Sequence, residues 1–325
     1  MKYLIRTLLS LLVGSILFVA CKKDEHTSLA TPCPTYIYGV RNSNLISSTY
    51  TTHNIGTYDA GGAIFTNVAT ASVSFAAGAW NQGDDAYYAT YDSVYLVSGV
   101  YYSAHHLCRA DAAGMLTWYA APDDTNYIRA MAYDAANNRM LAITNNSLAV
   151  LSTSSSTYTL TTLVSIPANT FGITVNPVDG TVYMCPMNGT PITRYIPGSG
   201  TTSTVTPGMA VFPSSLRFNT NDNMLYATAT RDSSNLDTVK IVKIDPATGT
   251  TTQLISHHIA SLPYGGSFYG CVAALDGCNN KYHMVAWLHA PGGPDSCTVL
   301  QYDVAPGTIQ ENTIYGQLNL IDIKY

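Results

Sequence analysis

Val175-Asn176-Pro177-Val178-Asp179-Gly180-Thr181-Val182-Tyr183 decides the fold, because its pattern returns elsewhere in the chain at nearly regular intervals. An apolar residue comes first, then Asp or Asn, then a polar turn, then a strand-like run. The stretches starting at Tyr133-Asp134, Phe218-Asn219 and Leu275-Asp276 obey the same rule, with spacings of 42, 43 and 57 residues between successive copies. Tyr91-Asp92 lies 42 residues before Tyr133 and reads as a further copy with a tighter turn. An Asx side chain caps such a turn while Asn or Gly accepts its unusual dihedrals. Alternating apolar residues on both sides make it a β-hairpin signature.

A second landmark follows each hairpin. Cys108 to Gly114, Arg194 to Gly200, Lys243 to Gly249 and Gln301 to Gly307 each end on a glycine that introduces another alternating run. Glycine belongs where a turn needs positive φ. The unit is therefore four short antiparallel strands in about 43 residues, which is the blade of a β-propeller. No stretch sustains helical periodicity, so helical solenoids are excluded. Residues 87–121, 128–167, 170–208, 214–258 and 268–315 give five units. Segments 35–40, 45–52 and 63–68 supply three outer strands of a sixth, and 318–324 its inner strand. Pairing the two chain ends closes the ring and leaves no bare sheet edge. The expectation is an all-β propeller of six blades, or seven if residues 69–85 hide another partial unit.

Over residues 35–325 the chain resembles six- and seven-bladed propellers of the broad NHL, WD40 and lactonase-like kind. The Asp245-Pro-Ala-Thr-Gly249 turn is the most typical piece, and it is structural. The Gly-His and Trp-Asp signatures of WD40 blades are absent.

The N-terminus has the layout of a secretory signal. Lys2 and Arg6 precede an apolar run, Thr7 to Val19, which ends at Ala20-Cys21. The run is shorter than the about 20 residues a membrane span needs. Phe18-Val19-Ala20-Cys21 resembles the bacterial lipobox, which implies removal of residues 1–20 and lipidation of Cys21. Lys22-Lys23-Asp24-Glu25 resembles the charged export signal of surface lipoproteins in the Bacteroidetes phylum. Residues 21–34 then form a flexible tether, and 35–325 the propeller. The implied location is the outer membrane, lipid-anchored and facing the cell surface, with a periplasm-facing protein as the alternative. Asp92-Ser93-Val94 and Asp237-Thr238-Val239 resemble the short O-glycosylation motif of the same phylum.

Loss of Lys2 and Arg6 leaves thirteen basic residues against twenty acidic ones, which argues against a nucleic-acid partner. Charged residues are only 11% of the chain, with Ser, Thr, Asn, Gly and Tyr in their place. Cys33, Cys108, Cys185, Cys271, Cys278 and Cys297 remain after lipidation, either as bridges or as buried thiols. Cys271, Cys278 and Cys297 crowd one region where a bridge is one of the two readings. No C-x-x-C pair, H-E-x-x-H or G-x-S-x-G motif is present.

Propeller loops between strands two and three, and between blades, emerge on one face. The candidate ligand residues assigned to that face are Trp80, Asp84, Asp85, Tyr101, Tyr102, Asp123, Asp124 and Tyr127, then Arg231, Asp232, His257, His258, Tyr264, Trp287, His289 and Asp295. Aromatic faces beside carboxylates suit sugars and equally suit protein partners. The His105-His106 and His257-His258 doublets point to opposite faces of a strand, so neither chelates one ion through both rings. No cofactor is indicated; calcium would bind, if anywhere, at Asp84-Asp85 or Asp123-Asp124. No catalytic set is recognisable. The chain therefore reads as a binding or interaction propeller for a glycan or an outer-membrane protein. A propeller hydrolase or lyase acting on a carbohydrate or lactone, and a structural subunit of an envelope complex, are the alternatives.

Overall fold

The computed structural model describes residues 36–324, except 47–48, 60–63, 72, 74, 99, 122–126, 231–236, 263–265, 290–295 and 315–316. It contains six four-stranded antiparallel sheets. The first blade is β4 (Phe75–Asn81), β5 (Ala86–Val97), β6 (Val100–Asp111) and β7 (Leu116–Ala120). The second comprises β8 (Ala130–Asp134), β9 (Arg139–Ile143), β10 (Ser147–Thr153) and β11 (Tyr158–Ser165). In the third are β12 (Thr170–Val175), β13 (Val182–Pro186), β14 (Ile192–Ile196) and β15 (Thr201–Val205). A short 3₁₀ turn, Pro213–Ser215, leads into the fourth, β16 (Arg217–Asn219), β17 (Met224–Thr228), β18 (Thr238–Ile244) and β19 (Thr251–His258). The fifth is β20 (Ser267–Asp276), β21 (Lys281–His289), β22 (Ser296–Asp303) and β23 (Thr308–Ile314).

The closing blade joins β24 (Gln317–Lys324) to β1 (Tyr36–Ile46), β2 (Thr49–Asp59) and β3 (Ile64–Ala71). Ile37 pairs with Ile323 and Arg41 with Leu318, so the last strand completes the sheet that the first three begin. Inner strands β4, β8, β12, β16, β20 and β24 touch in succession, and β24 returns to β4. The ring has six blades.

Apolar burial explains why the ring must close. Each of six hydrophobic clusters draws on two neighbouring blades. Leu107 and Tyr88 of the first blade pack with Met131 and Leu151 of the second. Val285 and Val299 of the fifth pack with Ile37 and Ile323 of the closing blade. A single blade has two apolar faces and covers neither alone, so burial worth about 25 cal/mol per Å² is realised only between blades.

The repeated turn also has its expected chemistry. The Asp134 carboxylate is fully buried and accepts hydrogen bonds from Asn137 Nδ2 (2.8 Å) and Arg139 Nε (2.9 Å). Asp276 likewise accepts from Asn279 Nδ2 (2.7 Å) and the backbone N–H groups of Cys278 and Asn279. Four residues after each Asx comes a positive φ: Asn138 at 48°, Gly180 at 72°, Asn223 at 57° and Asn280 at 53°.

The first blade departs from the reading of the sequence. Its turn is Asn81 to Asp85, with Gly83 N–H donating to Asn81 Oδ1 (2.8 Å) and Asp85 at φ 50°. Tyr91-Asp92 lies instead in the middle of β5, a 12-residue strand. The inner strand β4 falls within residues 69–85, so that stretch completes the first blade and adds no seventh. For the cysteines the structure chooses between the two readings. Cys108, Cys185, Cys271 and Cys297 are buried thiols outside any disulfide, while Cys278 is disulfide-bonded, so neither Cys271 nor Cys297 is its partner.

Candidate functional site at the channel mouths

The antiparallel order gives the ring two unlike ends. At the lower end the turns after the inner strands converge, and Gln82, Ala135, Pro177, Thr220 and Gly277 surround a cavity of about 170 Å³. At the upper end, where the inner strands begin, a cavity of about 460 Å³ is walled by Phe171, Phe212, Tyr269 and Trp287. Gly78, Met131, Ile173 and Arg217 border both and form the waist of the channel.

Arg217 is the first residue of β16, set by the 3₁₀ turn just before it. Its guanidinium donates from Nη1 to the carbonyl of Leu216 (2.6 Å). Burial pulls its pKa below the ordinary arginine range, and the Asp322 carboxylate opposes that shift. Asp322, on β24, keeps surface open to the channel while protein surrounds it. Burial pushes its carboxyl upward, against Arg217 and two backbone donors, Trp80 N–H (2.8 Å) and Ile323 N–H (2.9 Å). The two charges sense each other across the waist without forming one of the contact ion pairs among the described residues. Asp322 is the one carboxylate among the described residues bordering the two cavities.

Arg129 stands in the upper wall, its guanidinium 4.8 Å from the centre of the Phe171 ring. Nη2 donates to Asn145 Oδ1 (3.1 Å), whereas Nε and Nη1 are covered and have no hydrogen-bond partner. Tyr269 is 38% exposed and its ring lies 6.2 Å from that of Trp287. Trp287 is fixed by an Nε1–H bond to the carbonyl of Leu318 (3.2 Å).

Of the residues proposed from sequence, Trp287 lines the upper cavity. His289, at the end of β21, is exposed. Tyr127 packs edge-on against His105 at 5.1 Å. Trp80 borders the lower cavity, but its ring is 2% exposed and packs on Tyr38 at 4.7 Å between blades. Asp84 and Asp85 lie in the turn between β4 and β5, at the lower end and away from the face assigned to them. There Asp84 accepts from Tyr88 Oη (2.6 Å) and Arg109 Nε (3.3 Å).

His257 sits on the outer strand β19, where it meets Glu311 of β23 at 3.0 Å. Burial raises the Glu311 pKa, but bonds from Ser261, His257 and Ala260 outweigh it and hold the group below the usual range. That contact clamps two blades at the rim, far from a channel role. His258 pairs with Asp237 at 3.3 Å on the surface. Tyr101 and Tyr102 lie on β6, with side chains outside the described set. Asp123, Asp124, Arg231, Asp232, Tyr264 and Asp295 lie outside the described residues. Among the described residues, no group of three His, Cys, Asp or Glu side chains could hold a metal.

Arg129, Phe171, Arg217, Tyr269 and Asp322 escaped the sequence reading, though Arg217 left a signal. Two residues before the Asx of each turn the inner strands carry Ala79, Ala132, Thr174, Arg217 and Ala274. One arginine in a row of small residues marks a position where the ring does something besides pack.

No family model and no curated protein sequence matches the chain. Solved structures do. The propeller of a nidogen/laminin complex aligns with 89% of this chain and 98% of its own, at 14% identity and a TM-score of 0.57. TolB from Acinetobacter baumannii aligns over 89% of this chain and 66% of its own, with 15% identity and a TM-score of 0.58. The periplasmic gluconolactonase of Pseudomonas aeruginosa covers 87% of this chain and 84% of its own, at 13% identity and a TM-score of 0.54. At such identities the likeness is one of architecture: the chain is a six-bladed β-propeller.

Proposed function

We propose that the protein is an exported lipoprotein, anchored through Cys21, whose propeller binds a glycan at the upper mouth of its channel. The observation that carries this reading is the cavity of about 460 Å³ with Tyr269 and Trp287 in its wall. Its size falls in the range of small-ligand sites, and aromatic faces stack on the C–H faces of sugars. The likeness to TolB and to a periplasmic gluconolactonase agrees with a place in the cell envelope. So does the N-terminal sequence, whose lipobox-like end fits an anchor at the outer membrane. A protein partner is the competing occupant, in line with the laminin-bound likeness.

The test is a panel of soluble oligosaccharides and envelope proteins titrated against the full chain and its Tyr269→Ala variant. The expected result is saccharide binding that weakens about tenfold in the variant, the loss of about 1.4 kcal/mol that one stacked ring supplies. Binding of envelope proteins alone would overturn the glycan reading. For the anchor, a fatty-acid label should enter the wild-type chain and be lost in Cys21→Ala; equal labelling of both would remove it.

One observation favours a second reading, a hydrolase or lyase. Asp322 is a channel carboxylate whose pKa is raised by burial, the direction a general acid needs. Glycoside hydrolysis ordinarily needs two facing carboxylates, and among the described residues the cavity linings hold one, so this reading favours lactones or elimination. Turnover abolished by Asp322→Asn would favour it.

A further inference from the structure

We propose that the upper cavity selects acidic saccharides, with Arg129 and Arg217 as the contacts for the carboxylate. The inference rests on the reading of that cavity as a glycan site and names the ligand class it takes.

Charge is the first argument. The chain carries 20 acidic against 15 basic residues, yet among the described residues the lining of the upper cavity holds two guanidinium groups and no carboxylate. Asp322, the nearby counter-charge, borders the lower cavity and faces Arg217 from that side. Unused hydrogen-bonding capacity is the second. A guanidinium has five N–H donors in a fixed fork that fits a carboxylate edge. Arg217 directs one to the Leu216 carbonyl and Arg129 one to Asn145 Oδ1, so neither fork is filled by these protein acceptors. The third is the neighbouring surface. Arg129 lies over Phe171, while Tyr269 and Trp287 offer ring faces in the same wall. A ligand with a carboxylate on a ring whose C–H face can stack answers both features at once, as a uronic acid does.

The deciding experiment is calorimetric titration of the full chain with three probes, at low and at high salt. They are trigalacturonic acid, its fully methyl-esterified and therefore neutral counterpart, and a blocked tri-aspartate peptide of the same charge. The acid should bind at least about tenfold more tightly than the ester, and the preference should shrink as salt screens the pair. Arg129→Gln and Arg217→Gln should each bring the ratio towards one, chiefly by weakening the acid. Arg217→Gln is used only if its melting is cooperative; otherwise Arg129→Gln, at the cavity wall, decides alone.

Equal binding of acid and ester, unmoved by the arginine changes, would overturn the inference while the glycan reading stood. A tri-aspartate peptide binding as tightly as the trisaccharide would overturn the saccharide class. No binding of either sugar would remove both readings together.

Discussion

The two mouths of the channel are built on opposite principles. The lower one is the same turn made five times, from Asn81, Asp134, Asn176, Asn219 and Asp276, each followed four residues later by a positive φ. The upper one is assembled from side chains of unlike type: Arg129 ahead of β8, Phe171 in β12, Phe212 before the 3₁₀ turn, and Tyr269 and Trp287 in the fifth blade. Repetition at the lower mouth meets a demand every blade makes, to turn a tight corner with its polar backbone satisfied. Divergence at the upper mouth has no such reason, and there the apolar, aromatic and cationic groups gather.

Changes at the lower mouth should therefore cost stability, and changes at the upper one should cost binding. The largest effect is expected at Asp134→Ala, which leaves Arg139 and Asn137 without their buried acceptor. A loss of about 3 kcal/mol in denaturant unfolding follows from stranding such donors. An unchanged midpoint would mean that the turn repeats for some reason other than folding.

Acid should sharpen the contrast. His283 is 2% exposed on β21, paired in register with Ala274 and Gln301 towards the lower half of the blade. Burial lowers its pKa from 6.5 to about 4, with Asp276 and Asp303 opposing and Lys281 assisting. A depressed pKa gives stability that is present above the unfolded value and lost as pH falls through the folded one. Between pH 7 and pH 4 the protein should lose about 3 kcal/mol through this group, at about 1.4 kcal/mol for each tenfold difference in proton affinity between the folded and unfolded chain. His283→Phe should flatten that slope in chemical denaturation, and an unaltered slope would assign it to other groups.

The smallest stability effect belongs to the upper mouth. Tyr269→Ala should move the unfolding free energy by no more than about 0.5 kcal/mol, since the ring is well exposed. Its saccharide affinity should nevertheless fall. A large stability loss without a change in affinity would reverse the division of labour between the mouths.

Much of the fold is legible because blades obey local rules. The Asx turn states itself within nine residues, and the Gly249 turn within seven. Closure by 318–324 follows from the cost of leaving a sheet edge open, and the pairing of β24 with β1 meets it. The first blade misleads for a physical reason. Its strands β5 and β6 run for 12 residues each, which moves its turn to 53 residues before Asp134. Asp92, at the usual spacing, looks like the copy. That shift is also why Asp84 and Asp85 are assigned from sequence to the face opposite the one they occupy. His257 misleads differently, because a histidine near a loop carries no mark that Glu311 of the next blade will hold it at the rim.

The amino-acid order alone determined the repeat, the strand periodicity, the turn chemistry and the need for the chain ends to meet, since each is a demand between near neighbours or a cost of unpaired backbone. Tertiary structure alone decided that Arg129, Arg217 and Trp287, up to 158 residues apart, border one cavity. Ring closure sets side chains from distant blades at the same height around one axis, and no pattern within a single blade carries that information.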